Sequence, residues 1–345
     1  MQSLTQTRNA SPDSHRKARV LSGIQATGSL HIGNYIGALS VWAANQQTYD
    51  SLFCIANLHS LTIPEAIEPG YLRERTLQTA ALLMACGIDP KHATIFIQSD
   101  VPAHAYLAWL LDCVTPVGWL ERMTQYKVKA ANLESPSSGL LTYPVLQAAD
   151  ILIYQADYVP VGEDQKQHIE LTRDIAQRFN RFYGEYFTLP QAWIRASGAR
   201  IMGLDDPTVK MSKSVAEQRP AHAIALLDSP DTIRRNIMAA VTDSGNELRF
   251  DHASPGIQNL LVLYETLSGK SQESIEKHFG GRGYGYFKRE TVDLVVETLR
   301  PIQERYGQIM SDPNDLNDVL KEGAANASAI ADQTLAEVKQ LVGLP

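Results

Sequence analysis

Three short apolar runs set the fold class. Val20-Leu21, Leu52-Phe53-Cys54-Ile55 and Thr94-Ile95-Phe96-Ile97 are too short for helices and read as buried strands. Helical patterns separate them. Ile32 to Val41 puts Ile32, Ile36 and Leu39 on one face. Tyr71 to Ala85 turns Leu72, Leu82 and Leu83 inward and ends at Gly87 as a C-terminal cap. Strands that alternate with helices imply an α/β, doubly wound parallel sheet with helices on both faces.

Further along, Lys127 to Gly139 is polar, holds Pro136, Ser137 and Ser138, and reads as a mobile surface loop. Leu146 to Tyr154 reads as a helix, Tyr158 to Val161 as a short strand, and Glu163 to Asn180 as a long helix. After Ser214 the strand-like runs vanish. Ile257 to Leu267 is helical and closes at Gly269; Thr291 to Arg300 is helical, with Pro301 expected to kink or break it. Asp315 to Leu341 is an Ala-rich helix. The expected division is a disordered tail at 1–18, an α/β domain at 19–214 and an all-helical domain at 215–345.

With 345 residues and 44% hydrophobic content, the chain can bury a sizeable core in about two domains. No apolar run reaches the ~20 residues that span a bilayer, and Met1 to Ala18 has no apolar core of a secretory signal. Cys54, Cys86 and Cys113 each lie in an apolar stretch and form no C-x-x-C pair. They read as reduced core residues of a cytoplasmic protein with no structural zinc. The net charge of −7 neither supports nor excludes an RNA partner, because a local basic face can bind RNA on an acidic chain.

Two motifs carry chemistry. Gly23 and Gly28 have P-loop spacing, but Ser29-Leu30 stands where Lys and Ser/Thr would follow. His31-Ile32-Gly33-Asn34 then leaves an imidazole and a carboxamide at a helix start, both able to donate to phosphate oxygens. By itself the segment serves equally as a strand–turn–helix with a capping Asn. The second motif, Lys210-Met211-Ser212-Lys213-Ser214, reads as an exposed loop whose ammonium groups can converge on a triphosphate. Alone it reads better as a solvated basic turn.

Together, H-I-G-N on the first strand–helix turn and K-M-S-K-S at the end of the α/β domain resemble the class I aminoacyl-tRNA synthetases. The resemblance is closer to the bacterial tryptophanyl type. It is carried by Ser22-Gly23-Ile24-Gln25, Gly33 to Leu39, Glu121 to Gln125, Gly162-Glu163-Asp164-Gln165-Lys166-Gln167-His168 and Leu299 to Tyr306. It implies a Rossmann-like nucleotide-binding fold and ATP contacts at Gly23, Gln25, His31, Gly33, Asn34, Gly162, Glu163, Asp164, Ile201, Lys210, Met211, Ser212, Lys213 and Ser214. Lys129, Lys210 and Lys213 match the lysines that handle the triphosphate. Asp150 matches the acceptor of the indole N–H; tryptophan offers one polar side-chain handle, a donor, so its pocket needs a buried acceptor. Tyr143, Gln165 and Gln25 match residues that hold the amino and carboxylate groups. His59, Val159 and Val161 match pocket lining, although core packing would look the same.

The resemblance further implies Mg²⁺ on the ATP phosphates, tRNA-Trp as acceptor, anticodon reading by the helical domain, and a homodimer through a connective segment near 110–150. Leu21 stands where some members carry an aromatic residue, and Gln147 where many carry Met. Tyr143, Gln147 and Asp150 thereby spell Y-x-x-x-Q-x-x-D, reminiscent of the sister tyrosyl enzymes. A tyrosyl enzyme and a catalytically silent RNA-binding or tryptophan-sensing paralogue stand as alternatives.

Overall fold

In the computed structural model the described residues are 16–63, 68–131, 133–194, 200–245 and 247–345. Five strands, β1 (Arg19–Ile24), β2 (Asp50–Ile55), β3 (Ala93–Ile97), β4 (Tyr158–Pro160) and β5 (Gln191–Trp193), form one sheet in the order β3-β2-β1-β4-β5. Every pairing is parallel. The expected strands are present, and β5 joins them at the edge. Its three residues give no apolar run, so only pairing with β4 makes it a strand.

Successive strands are laid to one side of β1 and then, from β4, to the other. Loops leaving the carboxyl ends of β1 and β4 therefore diverge, which opens a crevice between them. The opposite end of the sheet is tied shut. Arg19 donates to Asp50 Oδ2 at 2.7 Å and to the Tyr154 carbonyl at 2.8 Å, while its own N–H donates to Asp157 Oδ2 at 2.7 Å. Arg16 pairs with Asp157 at 3.0 Å, so the end of the expected tail is anchored; residues 1–15 lie outside the described residues.

The first helix starts at Ile32, and its apolar face of Ile32, Ile36 and Leu39 is buried as expected. One π-helical turn at Tyr35–Leu39 interrupts it just after His31. Gly87, at φ 104°, ends the helix Pro69–Ala85. Four expectations need correction. The polar stretch from Lys127 is no simple loop: Thr124–Ala130 is a helix, and Ser137 caps the next one by accepting the N–H of Leu140 at 3.1 Å. That helix is Ser138–Leu152, starting well before Leu146. Pro301 does not break its helix, which runs Tyr284–Ser311. The carbonyl that loses a donor, on Glu297, is on the exposed side, while Leu299 and Ile302 bury against the core. Cys54 and Cys86 are buried, but Cys113 is exposed just past the end of its helix.

Beyond Ser214 every named element among the described residues is a helix. Phe279, Phe287, Val295 and Leu299 there share one apolar cluster with Ile32, Ile36 and Leu83 of the α/β part. The last helix, Pro313–Val342, returns to the sheet and lies on β3. Gly323 makes that approach possible, because a methyl group there would overlap the carbonyl of Ile95. Gly323→Ala is expected to lower stability by about 1–3 kcal/mol as the helix is pushed from the sheet. Urea denaturation measures it, and an unchanged midpoint would mean that the contact carries no packing constraint.

Candidate active site

The crevice at the carboxyl ends of β1 and β4 is a cleft of about 1160 Å³. Gly23, Gln25, Asn34, His59, Lys129, Tyr143, Gln147, Asp150, Val159, Val161, Gly162, Gln165 and Lys213 line it. Residues far apart in sequence thus meet because β1, β2 and β4 deliver their following segments to one edge.

Helix Ser138–Leu152 supplies the floor. Tyr143, Gln147 and Asp150 are spaced i, i+4, i+7, so they share the face that looks into the cleft. Asp150 is buried. Its Oδ1 accepts from His104 Nδ1 at 2.6 Å, its Oδ2 accepts from His59 Nε2 at 2.9 Å, and Gln98 Nε2 donates to both at 2.8 Å. Gln98 is held with its amide nitrogen inward because its Oε1 accepts the Leu58 N–H at 3.0 Å. His104 Nε2 is bonded in turn to the Tyr154 hydroxyl at 2.7 Å. Burial would raise the Asp150 pKa, but the hydrogen bonds and charges of His104 and His59 outweigh it and hold the carboxyl well below its ordinary range. A fixed carboxylate therefore sits at the bottom of the cleft.

Higher up, the Tyr143 hydroxyl bonds to His168 Nε2 at 2.9 Å. Burial and the nearby Lys129 push the His168 pKa down to about 4, so the ring is neutral and can receive the phenol proton. Lys129 Nζ rests over the Tyr143 ring, 5.3 Å from its centroid, and burial lowers its pKa.

The mouth is built from the two sequence motifs. Lys213 Nζ donates to the carbonyls of Thr27 and Gln25, at 3.1 and 3.3 Å. The lysine stem lies against Gly28, which turns at φ 63°. Burial lowers the Lys213 pKa to about 8. Asn34 Oδ1 accepts the His31 N–H at 3.0 Å, which turns its amide nitrogen away from that bond, at the cleft wall. The His31 ring is buried beside Gly33, where a methyl group would come within 3.0 Å of its Nδ1. Burial first, then Lys213, Lys210 and His222, push its pKa down to about 3. His31 is thus a neutral donor, not a cation.

Not every expected residue lines the cleft. His31, Ile201 and Met211 are buried beneath it, and Gly33 makes room for the His31 ring. Glu163, Asp164 and Lys210 stand exposed at the rim, where Lys210 Nζ is 3.9 Å from Asp164 Oδ1. Ser212 caps the short helix Lys213–Gln218 through the Val215 N–H at 3.4 Å; the Ser214 side chain lies outside the described residues. Gln98, His104, Tyr154 and His168 were not singled out by sequence. A polar residue directly after an apolar strand, and a histidine inside an apolar helix, were the available signals.

Among the described residues no group of three His, Cys, Asp or Glu converges as a metal would require. The chain matches, over residues 13–300, the model of the class I tRNA synthetases for W and Y. It is 53% identical over 329 residues to the tryptophan–tRNA ligase of Wolinella succinogenes, covering 95% of this chain and 99% of that one. Among solved structures, tryptophanyl-tRNA synthetase of Campylobacter jejuni, complexed with ADP and tryptophan, is 36% identical. Its TM-score is 0.82, over 94% of this chain and 100% of that one. The Mycoplasma pneumoniae tryptophanyl-tRNA synthetase superposes with TM-score 0.86 at 36% identity, over 95% and 98% of the two chains. On its fold, its two motifs and these relatives, the chain belongs to the class I aminoacyl-tRNA synthetases of the tryptophan and tyrosine group.

Proposed function

We infer that the chain is a tryptophan–tRNA ligase that forms tryptophanyl-AMP from tryptophan and ATP and passes tryptophan to tRNA-Trp. The observation that carries this reading is the cleft: an ionised acceptor at its floor and the lysine of the second motif docked on the glycine turn of the first at its mouth.

The indole N–H donates to Asp150. Three side chains already fill the carboxylate's roughly four lone-pair sites. His59 is the one of those donors that lines the cleft, so it is the one an arriving indole can displace. Phenylalanine brings no donor and gains nothing there. Tyr143, Gln165 and Gln25 hold the amino and carboxylate groups. The substrate carboxylate oxygen then attacks the α-phosphorus, its new P–O bond forms, and the bond to the β-phosphate oxygen breaks. Lys129, Lys210 and Lys213 take up charge on the departing pyrophosphate, and Asn34 at the cleft wall donates to a phosphate oxygen, with the neutral His31 ring buried behind it. Mg²⁺ would be carried by the nucleotide's own phosphates and would offset their charge, with no protein ligand set among the described residues assigned to it. In the second half, the terminal 2′-hydroxyl of the tRNA attacks the carbonyl and AMP leaves.

The helices of 215–345 are assigned to anticodon reading. A second copy of the chain is assigned to the apolar face around Trp109, Val117 and Phe182, which are 67%, 59% and 54% exposed. Arg178 joins that face together: it stacks on Trp119 and Phe182 and donates to the Val114 carbonyl at 2.7 Å. Cytoplasmic location fits a partner that is tRNA.

Tyr143, Gln147 and Asp150 on one helix face keep a tyrosyl reading testable. Amino-acid-dependent ATP–pyrophosphate exchange is expected to prefer tryptophan; tyrosine outperforming it would sink the assignment. Asp150→Ala should erode the preference over phenylalanine by about 10²-fold or more. An unchanged preference would remove Asp150 from the pocket. Lys213→Ala should slow adenylate formation by about 10²–10³-fold with tryptophan affinity intact, and parallel loss of both would mean that it acts through folding. Because Lys213 must be protonated to hold phosphate, kcat/KM for ATP should fall above pH about 8. Lys213→Arg should remove that alkaline limb, and an identical limb in the variant would assign it to another group.

A further inference from the structure

One fully buried histidine beneath the second motif has no part in the chemistry above. The His222 ring places Nδ1 2.6 Å from Asp205 Oδ1 and Nε2 3.2 Å from the backbone carbonyl of Lys210. A carboxylate only accepts, so Nδ1 donates to Asp205, while Nε2 faces the Lys210 carbonyl. Asp205 is itself steadied by Arg219 at 3.2 Å. The ring also fills the space over Gly203, where a methyl group would overlap its Cε1 and Nδ1. The His222 ring in this position therefore requires glycine at 203.

The backbone around this ring joins both ATP motifs. On one side, Gly203 N–H donates to the Val209 carbonyl at 2.8 Å and Met211 N–H to the Ile201 carbonyl at 3.1 Å. Lys210 thus begins the return strand of a closed turn, and the ring grips its carbonyl. On the other side, the residues directly after His222 pair with the first motif. Ile32 N–H donates to the Ile224 carbonyl and Leu226 N–H to the Leu30 carbonyl, both at 2.9 Å. Leu204 N–H donates to the His222 carbonyl at 3.0 Å, which closes the unit. The ring therefore sits where backbone hydrogen bonds link the Lys210 turn to the strand-like segment that pairs with the first motif.

We propose that His222 is a positioning residue for ATP activation: oriented by Asp205, it fixes the Lys210 backbone relative to His31 and so sets where the motif lysines meet the triphosphate. The proposal rests on the adenylate-forming reading above. Its physical basis is reach. Lysine is a point charge on a flexible stem, so its aim depends on how firmly its backbone is held.

The test compares the full chain with Asp205→Asn, Gly203→Ala and His222→Ala. Asp205→Asn keeps the ring and its packing; Gly203→Ala displaces the ring without removing it. Three measurements are made: trypsin cleavage after Lys210 and Lys213 under native conditions, ATP–pyrophosphate exchange, and tryptophan binding by fluorescence, with thermal melting as control. In Asp205→Asn and Gly203→Ala, cleavage is expected to accelerate and exchange turnover to fall about tenfold, as for a lost charge-assisted positioning contact. The dissociation constant for tryptophan is expected to stay within about twofold, since no pocket residue moves. Unchanged turnover in both variants, or turnover falling together with tryptophan affinity and melting temperature, would overturn the proposal. Absence of tryptophan-dependent exchange in the unmodified chain would instead strike the functional reading. Cleavage then still decides the proposal, because equal rates in all variants would overturn it.

Discussion

Strand β1 is the member on which the architecture depends. It pairs with β2 along its whole length, from Arg19 opposite Asp50 to Ile24 opposite Ile55, and with β4 on its other edge. Parallel strands need long connections, and those that leave β1 and β4 at their carboxyl ends turn to opposite sides. Arg19 fastens the other ends of β1 and β2 and the approach to β4 through Asp50, Tyr154 and Asp157. The sheet can therefore open at one edge alone, and that edge holds the cleft.

Inside the cleft a buried carboxylate is the costly element. An ion moved out of water is tolerated when hydrogen bonds and opposite charge replace its hydration. Asp150 draws on His59, His104 and Gln98, and two of these have orientation fixed by a further partner, Tyr154 for His104 and Leu58 for Gln98. The network keeps an acceptor charged and aimed into the cleft. Such preorganisation is what makes one hydrogen bond discriminating.

Much of this was legible in local pattern. Short apolar runs located the central strands, and the two motifs located the cleft's mouth. Legibility failed where distant contacts override local preference. Lys127 and Lys129 look like loop residues, yet they ride a helix whose Lys129 lies on Tyr143. Pro301 looks like a helix end, yet burial of Leu299 and Ile302 carries the helix past it. β5 has no strand signal because its stability comes from its partner.

Sequence by itself determined the layered α/β plan, the helical second half and the two motifs that meet at the cleft's mouth, because these follow from periodicity and from short contiguous motifs. Only the tertiary structure decided that His31 is neutral and buried, that Lys213 docks on the Gly28 turn, and that Gln98, His104 and His59 gather around Asp150. Those facts depend on desolvation and on donors brought together from different strands and helices. Neither is encoded in any one stretch of chain.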